Sequence, residues 1–579
     1  MIRDRSEPIR PPWVEAPPPP GSWRALCKWG DPGQVQHPSL RLVRLLAEAL
    51  DLPAEAFRAP RRAGLEPAGA IPPSRLAEDV RADLEALVGR DNLQTDAHAR
   101  LAAAYGKGVV DLLRLRRGIA EHLPDAVVHP RDRQDLARIL AYCPDRGLAV
   151  TARGAASSVT RGLECPAGGL SLDLRTHLDK VLAFDETTQT ITVQPGMYGP
   201  RLERLLNRAP ELFGARRRYT CGHFPQSFEH STVGGWAATR GAGQNSTYYG
   251  KIEDLVLAQE MVTPAGVIRT GPHPAAATGP DTDQILLGSE GAFGVLAEVT
   301  LRVFRWMPGN RRRFSYLFRD WEAALDAARA ILQGEFGRPS VFRLSDPAET
   351  EVAFRHYGLD RPWVEAVLAR LGLRAGSRCL LLGSADGERG FVRNLCRRVG
   401  EACRSRGALP CSGLVTRAWE HGRFRDPYLR DDLLDFGILV DTLECAATWD
   451  GLERVRQAVR ARCLARPRTL CLSHLSHGYP QGASLYFLFF SALDGLEEHL
   501  AFQGDILETL HRAGAALSHH HGIGRMAAPW LEAHLGSTTL DLFRAIKRHL
   551  DPGGIMNPGG TLALDRVPEP GSDRSPGVD

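Results

Sequence analysis

This 579-residue chain lacks the marks of several large protein classes. No stretch reaches the ~18 continuous apolar residues that a membrane-spanning helix needs. The opening MIRDRSEPIRPPWVEAPPPP has no apolar core of a secretory signal peptide. Eleven cysteines form no CxxC pair and no zinc-ligand spacing, so reduced thiols and a cytosolic compartment are expected. A Walker A motif is missing, and no GxGxxG opens a helix after the first strand, which disfavours P-loop and Rossmann nucleotide sites. Neither sign of charge dominates. With 72 basic and 68 acidic residues the net charge is +4, so no nucleic-acid partner is expected. Internal repeats are absent as well.

What is present is ordinary globular material, 43% hydrophobic and 24% charged, in a length that suits two large domains with extensions. Residues 1–20 read as a disordered, proline-rich arm, and helical patterns such as SLRLVRLLAEAL dominate 21–121. DAVVHP, RDRQDLARILAYCPDRG and LAVTARG then read as strand, helix and strand, which opens an α/β region over 122–305. Helices and strands alternate again over 306–515, a further segment runs over 516–563, and 564–579 reads as a disordered tail. The basic runs GARRRY (Arg216 to Arg218) and NRRRF (Arg311 to Arg313) read first as solvated faces. Phosphate or an anionic membrane surface is the other reading. RPWVEAVLARLGLRAG, over 361–376, is amphipathic. Core packing is the favoured reading for it, with docking on a membrane as the alternative.

The densest chemical signal is a run of small residues in YTCGHFPQSFEHSTVGGWAATRGAG, answered later by GSEGAFGVLAEVTLR. Glycine admits close approach of a ligand to bare backbone N–H groups, which suits a pyrophosphate. Two such loops in α/β context point to a large cofactor. Near the C-terminus, LSHHHGIG places three histidines in a row. In an extended segment His519 and His521 would point one way and His520 the other. Metal ligation with help from His474 or His477 is one reading of them; proton donation, acceptance and shuttling near neutral pH is the favoured one.

The segments STVGGWAATRGAG, YGKIEDLVLAQEMVTPAG, GSEGAFGVLAEVTLRV, PAGGLSLDL and ITVQPGMYGPRLERLL resemble the FAD-binding domain of the vanillyl-alcohol-oxidase superfamily. Within it, CKWGD, TCGHFPQSFEHSTVGGW, FRLSDP, YLRDDLLDFGILVDTLE, GASLYFLFF and SHHHGIG resemble the alkyldihydroxyacetonephosphate synthase family, block after block in order. The resemblance implies an α+β fold: a two-subdomain FAD-binding domain of PCMH/VAO type over 122–305, and an α/β cap over 306–515. The helical N-terminal extension precedes these, and 516–563 returns to the active site. It implies non-covalent FAD and an alkyltransferase that exchanges the acyl group of acyl-dihydroxyacetone phosphate for a long-chain fatty alcohol, through an adduct at flavin N5 and with no net redox change. A peripheral membrane contact and a homodimer are compatible with it, and the ending SPGVD, which is not S-K-L, agrees with a bacterial cytoplasmic protein. The alternative is an FAD-dependent D-2-hydroxyacid oxidase or dehydrogenase, whose metal-ligating G-H-x-G-D-G-N-x-H motif is broken here.

Site residues follow from the same resemblance. Tyr486, His519, His520, His521 and His223 match catalytic positions, and Arg430 and Arg343 match the arginines that contact substrate; for each arginine an ordinary salt bridge is the plain alternative. Cations nearby are expected to lower the phenol of Tyr486 toward use as a base. The flavin is assigned to Arg153, Gly154, Ala155, Ala156, Ser157 and Ser158; to Gln226, Ser227, Ser231, Thr232, Gly234, Gly235, Thr239 and Arg240; and to Glu290, Gly291, Gly294 and Val295. No metal is expected. One loop departs from the pattern: Ala155, Ala156 and Ser157 stand where the family has Gly, Gly and Thr, and the two methyl groups are expected to narrow the approach to the backbone.

Overall fold

The strand–helix–strand reading is realised as Ala126–Val128, the helix Arg133–Tyr142 and Val150–Arg153. Asp132 caps that helix by accepting from Asp135 N. Leu136, Ile139 and Leu140 recur at helical spacing and bury against Val128, Val150, Leu170 and Leu172. Each such aliphatic side chain contributes about 2 kcal/mol. This computed structural model describes residues 17–57, 64–69, 71–492 and 495–559, together with 562 and 564. Most of the proline-rich arm and nearly all of the tail expected from the sequence lie outside the described residues.

Two larger sheets, with a two-stranded pair of Tyr219–Thr220 and Phe304–Arg305 beside them, make the first half. The four-stranded sheet runs in the order Leu93–Gln94, Ala126–Val128, Leu170–Asp173, Val150–Arg153, and its last three strands are parallel. A five-stranded antiparallel sheet follows in the order Val181–Asp185, Thr190–Val193, Val295–Arg302, Val256–Thr263, Gly266–Arg269. The extension expected over 21–121 does not stand apart from the α/β region that follows it. Strand Leu93–Gln94 pairs with Ala126–Val128, and Val80, Leu84 and Val88 of the helix Glu78–Val88 join the core of the first subdomain. A two-residue strand carries no periodicity for the sequence to display. The C-terminal segment also returns twice, since Ile555 and Asn557 bracket Val150 with backbone hydrogen bonds of 2.8 Å each.

The second half is built on a seven-stranded antiparallel sheet: Leu409–Cys411, Arg312–Phe318, Cys379–Ala385, Val341–Ser345, Thr469–Gly478, Gly482–Ser491, Leu439–Thr448. Alternation divides its residues between two faces. Phe342, Leu344, Leu485, Phe487 and Phe489 pack under the helices Trp321–Leu332, Arg389–Arg404, Leu452–Leu464 and Leu496–Arg512. Arg343, Ser345, Tyr486, Leu488 and Phe490 alternate with them on the opposite face and line a cavity. The N-terminal extension clamps onto this half through buried ion pairs, Arg24 with Asp432 and Asp435, and Lys28 with Asp432.

The segment 361–376 packs in part as expected: Leu373 is buried in a small core cluster with Leu368 against it, but the helix Pro362–Arg370 buries none of its own residues. Its apolar stripe is too narrow to seal, and Trp363 remains 66% exposed. The arginine run at 311–313 is not a plain solvated face either. Alternation turns Arg311 and Arg313 into the cavity, where they pair with Asp386 and Glu420, while Arg312 points outward.

Candidate active site

The cavity-lining face of the seven-stranded sheet meets the flavin-type loops across a single cavity of about 2010 Å³. That is about twice the upper end of a usual small-molecule pocket. One part is walled by the small-residue loops, a second by arginines, histidines and Tyr486, and a third by Leu317, Phe354, Leu380, Leu433, Leu472 and Phe490.

The first wall brings together Arg153, Gly154, Ala155, Ala156, Ser157, Ser158, Gln226, Ser227, Ser231, Thr232, Gly234, Gly235, Thr239, Glu290, Gly291 and Gly294. Among the described residues no protein acceptor takes the backbone N–H groups of 154–159. An unclaimed run of donors on a cavity wall is the set a diphosphate uses, so the residues present fit FAD. Gly154 is needed for close packing, because a Cβ there would stand 2.4 Å from Thr232 Oγ1. The departure at 155–157 takes a definite form. Ala156 is held at φ +59°, a left-handed conformation that costs an alanine about 1 kcal/mol, and its methyl group still lines the cavity. Two assignments move. Arg240 turns away to Gln284 and Leu287 O, and Val295 points into the core while its neighbours Gly294 and Leu296 face the cavity. Arg153 lines the wall with its guanidinium tied to Asp173.

The triple histidine does not alternate as an extended segment would. The N–H groups of His519, His520 and His521 and the hydroxyl of Ser518 all donate to Glu444, at 2.6 to 3.0 Å. Wrapping one carboxylate bends the chain so that His520 and His521 face the cavity and His519 is turned behind them. There its Nε2 meets Tyr479 OH at 2.8 Å, and its carbonyl accepts from Lys251. Burial works against charge on Glu444, yet His521, His519 and the donated hydrogen bonds outweigh it and hold the carboxyl down at about 2. A second carboxylate, Glu290, accepts from Ile523 N and Gly524 N and ties the same loop to the flavin wall. Burial pushes Glu290 up to about 7. His477, His519 and His520 bring ring nitrogens within 4.8 Å of one another, as do Glu444, His520 and His521. Some of these groups already have partners: His519 Nδ1 lies 3.0 Å from His520 Nδ1, His477 Nδ1 bonds Ser246, and the Glu444 oxygens accept the N–H groups.

Tyr486 stands opposite, on the strand paired with Glu444. Its hydroxyl lies 3.2 Å from His521 Nε2 and donates to Thr442 at 3.3 Å, and its ring stacks on His474. The expected lowering of the phenol does not occur. Burial dominates the arginine nearby and pushes the phenol well up, so it stays protonated. His520 is held neutral by burial and by the neighbouring imidazoles and Lys251. His223 is also buried, pushed down to about 3 by burial, and packs on Trp236, with neither ring nitrogen hydrogen-bonded among the described residues. It sits one layer behind the cavity wall rather than on it.

Both arginines expected to contact substrate line the cavity, but their forks are partly used. Arg343 bonds Glu349 at 2.8 Å and His474 at 3.0 Å; Arg430 bonds Asp431 at 2.9 Å and Lys107 O at 2.8 Å. Sequence reasoning missed Arg423. Its hydrogen bond goes to the neutral Asn245 at 3.0 Å, its plane lies over Phe424, and burial lowers it to about 10. A buried guanidinium without a carboxylate partner attracts an anion. Glu444 was missed too. The signal available was its place at the centre of GILVDTLECAATWD, a charge inside a strand otherwise fit for burial.

Comparison with known proteins agrees with this geometry. Residues 124–271 match the FAD binding domain family, and 307–561 match the family of FAD linked oxidases, C-terminal domain. The chain is 30% identical over 498 residues to an alkyldihydroxyacetonephosphate synthase of Caenorhabditis elegans, covering 80% of each chain. It is 28% identical over 507 residues to the one of Dictyostelium discoideum, covering 84% of this chain and 81% of that protein. A solved alkyldihydroxyacetonephosphate synthase superposes with a TM-score of 0.70 at 26% identity, over 84% of this chain and 87% of the other. The 4-ethylphenol oxidase of Gulosibacter chungangensis shares the fold, with a TM-score of 0.62 at 15% identity over 85% of this chain and 98% of the other.

Proposed function

The chain belongs to the alkyldihydroxyacetonephosphate synthase family and carries its FAD-binding domain, and on that premise we propose that it exchanges the acyl group of acyl-dihydroxyacetone phosphate for a long-chain fatty alcohol. The observation that carries this reading is the continuity of the cavity. A flavin-type wall, a cluster of guanidinium groups and an apolar arm share one continuous cavity, which is what a phosphorylated head with a long aliphatic tail requires.

The chain's own residues divide the work. Arg423, supported by Arg343, binds the phosphate dianion through charge-assisted hydrogen bonds. Tyr486, kept protonated by burial, turns its single hydroxyl hydrogen from Thr442 to an oxygen of the substrate head, with His521 Nε2 3.2 Å from the same hydroxyl. His520 stays neutral and presents a ring nitrogen rather than a charge to the same space. Non-covalent FAD, when bound, supplies a reversible electrophile beside the substrate carbon, with no net oxidation over the cycle. Leu433, Leu472 and Phe490 exclude water along the tail.

Among the described residues no helix is long and apolar enough to cross a membrane. A peripheral contact is supported by the helix Pro362–Arg370, with Trp363, Val367 and Leu371 exposed beside the apolar arm, and by Leu414, which lines the cavity and is 63% exposed.

The test is to incubate the flavin-loaded protein with palmitoyl-dihydroxyacetone phosphate and labelled hexadecanol. Alkyl-dihydroxyacetone phosphate is expected, with palmitate released in equal amount. Absence of the ether product, together with bleaching of the flavin by a D-2-hydroxy acid, contradicts the reading.

A further inference from the structure

Four carboxylates line the cavity: Glu290, Glu349, Glu420 and Asp426. Three of them are committed. Glu290 accepts two backbone N–H groups, Glu349 is held by Arg343 and His474, and Glu420 is paired with Arg313. Asp426 differs. Among the described residues its side chain receives one hydrogen bond, a long one of 3.5 Å from Gln226 Nε2, and no ion pair.

Its position is distinctive as well. Asp426 opens the helix Asp426–Leu433, and Asp426, Leu429, Arg430 and Leu433 all line the cavity, at the i, i+3, i+4, i+7 spacing of one helical face. Leu433 lies in the apolar arm with Val440, Leu472 and Phe490, whereas Gln226 belongs to the loop that forms the flavin-type wall. The carboxylate therefore stands where the aliphatic arm opens onto the polar chamber. An alcohol whose chain lies along Leu433 and Leu429 presents its hydroxyl at that end of the helix.

We propose that Asp426 is a catalytic residue, the group that takes the proton from the hydroxyl of the incoming fatty alcohol. This rests on the transferase reading above. In the balanced step the alcohol oxygen forms the new bond to carbon 1 of the dihydroxyacetone phosphate unit, and its proton passes to the Asp426 carboxylate. The bond between carbon 1 and the acyl oxygen breaks with its electron pair on the departing fatty acid, which leaves as a carboxylate. Asp426 then loses its proton to solvent, and no oxidant or reductant is consumed.

Two polar groups near the reacting atoms, Tyr486 and His520, are poorly suited to that proton. Burial keeps Tyr486 protonated, and His520 is held well below its ordinary range by burial and cationic neighbours. By surface area Asp426 is open to the cavity rather than sealed, yet desolvation by the surrounding walls pushes its carboxyl up to about 6, with Glu349 adding to the rise and Arg343 opposing it. A base with that affinity is ionised at neutral pH and still accepts a proton readily.

The experiment uses the full, flavin-loaded chain with palmitoyl-dihydroxyacetone phosphate and labelled hexadecanol, comparing wild type, Asp426→Asn and Asp426→Glu across pH 5 to 9. For wild type, kcat/KM is expected to fall below pH ~6, as the carboxylate is protonated. Asp426→Asn is expected to lose at least ~100-fold in kcat and to lose that acidic limb, with flavin absorbance and melting temperature unchanged. Asp426→Glu is expected to recover part of the rate and restore the limb. Retention of the rate within threefold by Asp426→Asn overturns the proposal. So does a slow Asp426→Asn that keeps the acidic limb, or one that loses its flavin while Asp426→Glu does not recover. A wild type that makes no ether product overturns the transferase reading itself, and this inference with it.

Discussion

The carboxylate of Glu444 accepts the backbone N–H of His521 at 2.9 Å, and across the paired strand the same His521 offers Nε2 to Tyr486 OH at 3.2 Å. One buried anion thus sets the direction of the loop that carries two cavity-lining histidines. Hydrogen bonds to a charged acceptor contribute about 1.5–3 kcal/mol each, and Glu444 gathers several of them in one place. Glu444→Gln keeps the shape and removes the charge. The expected outcome is a loss of about 3 kcal/mol of stability in denaturant unfolding and at least tenfold in turnover, with substrate affinity less affected. Unchanged turnover would show that the loop does not depend on this anion.

Ala156 makes the opposite kind of prediction. Its left-handed φ of +59° is a conformation that glycine adopts without strain. Ala156→Gly is expected to relieve about 1 kcal/mol in the folded loop, offset in part by greater freedom of the unfolded chain. Thermal scans of the apo and flavin-loaded protein should show an equal or higher melting temperature, and flavin titration should show tighter binding. Weaker binding would mean that the methyl group itself contacts the cofactor.

The arginines divide by their partners. Arg430 is held by Asp431 and Lys107 O, whereas Arg423 has no carboxylate partner among the described residues. Arg423→Gln is expected to raise KM for the phosphorylated substrate about 10- to 100-fold, with little change in melting temperature. Arg430→Gln is expected to lower stability, because the buried Asp431 loses its cation. Steady-state kinetics and unfolding of the two variants side by side separate the roles. Equal effects on KM would remove the distinction.

Acid sensitivity follows from two depressed carboxyls. Burial opposes ionisation of Glu349, but Arg343 and His474 hold it at about 2, and Glu444 is likewise held at about 2. Their contribution is fully present above pH ~4.5 and is lost as the pH falls toward 2. Glu290 and Asp426, raised to about 7 and about 6, act in the opposite direction between pH ~4 and 7. Unfolding free energy measured from pH 5 to 3 is expected to drop less steeply for Glu349→Gln than for wild type. Parallel curves would contradict the assignment.

Much of this architecture is legible in the sequence because its signals are local. The glycine and hydroxyl loops at 231–235 and 290–294 read as a cofactor wall from their small residues alone, the loop at 154–158 follows from the family resemblance, and all three meet on one side of the cavity. Alternation in GASLYFLFF puts Tyr486 on the opposite face from Phe487. What was not legible depends on partners distant in the chain. The direction of His519 is set by Glu444, which lies 75 residues away, and the fork of Arg430 is partly taken by Lys107, 323 residues away. The helix Glu78–Val88 reads as part of an extension until the strand Leu93–Gln94 is seen pairing with Ala126–Val128. Arg423 gave no sign in the sequence, because an unpaired guanidinium is defined by a carboxylate that is absent in space.

Tyr486 offers a sharp test of proton handling. Tyr486→Phe keeps the ring that stacks on His474 and removes the hydroxyl that meets His521 and Thr442. About a 100-fold loss of kcat is expected, with flavin absorbance unchanged and no gain in rate at high pH.

The exchange itself is tested most directly by following oxygen. Hexadecanol carrying oxygen-18, incubated with palmitoyl-dihydroxyacetone phosphate and the flavin-loaded protein, should give an ether product whose ether oxygen is heavy and palmitate that is not. Unlabelled ether, or heavy oxygen in the palmitate, would mean that the alcohol does not displace the acyl group at carbon 1, and the account would fail at its centre.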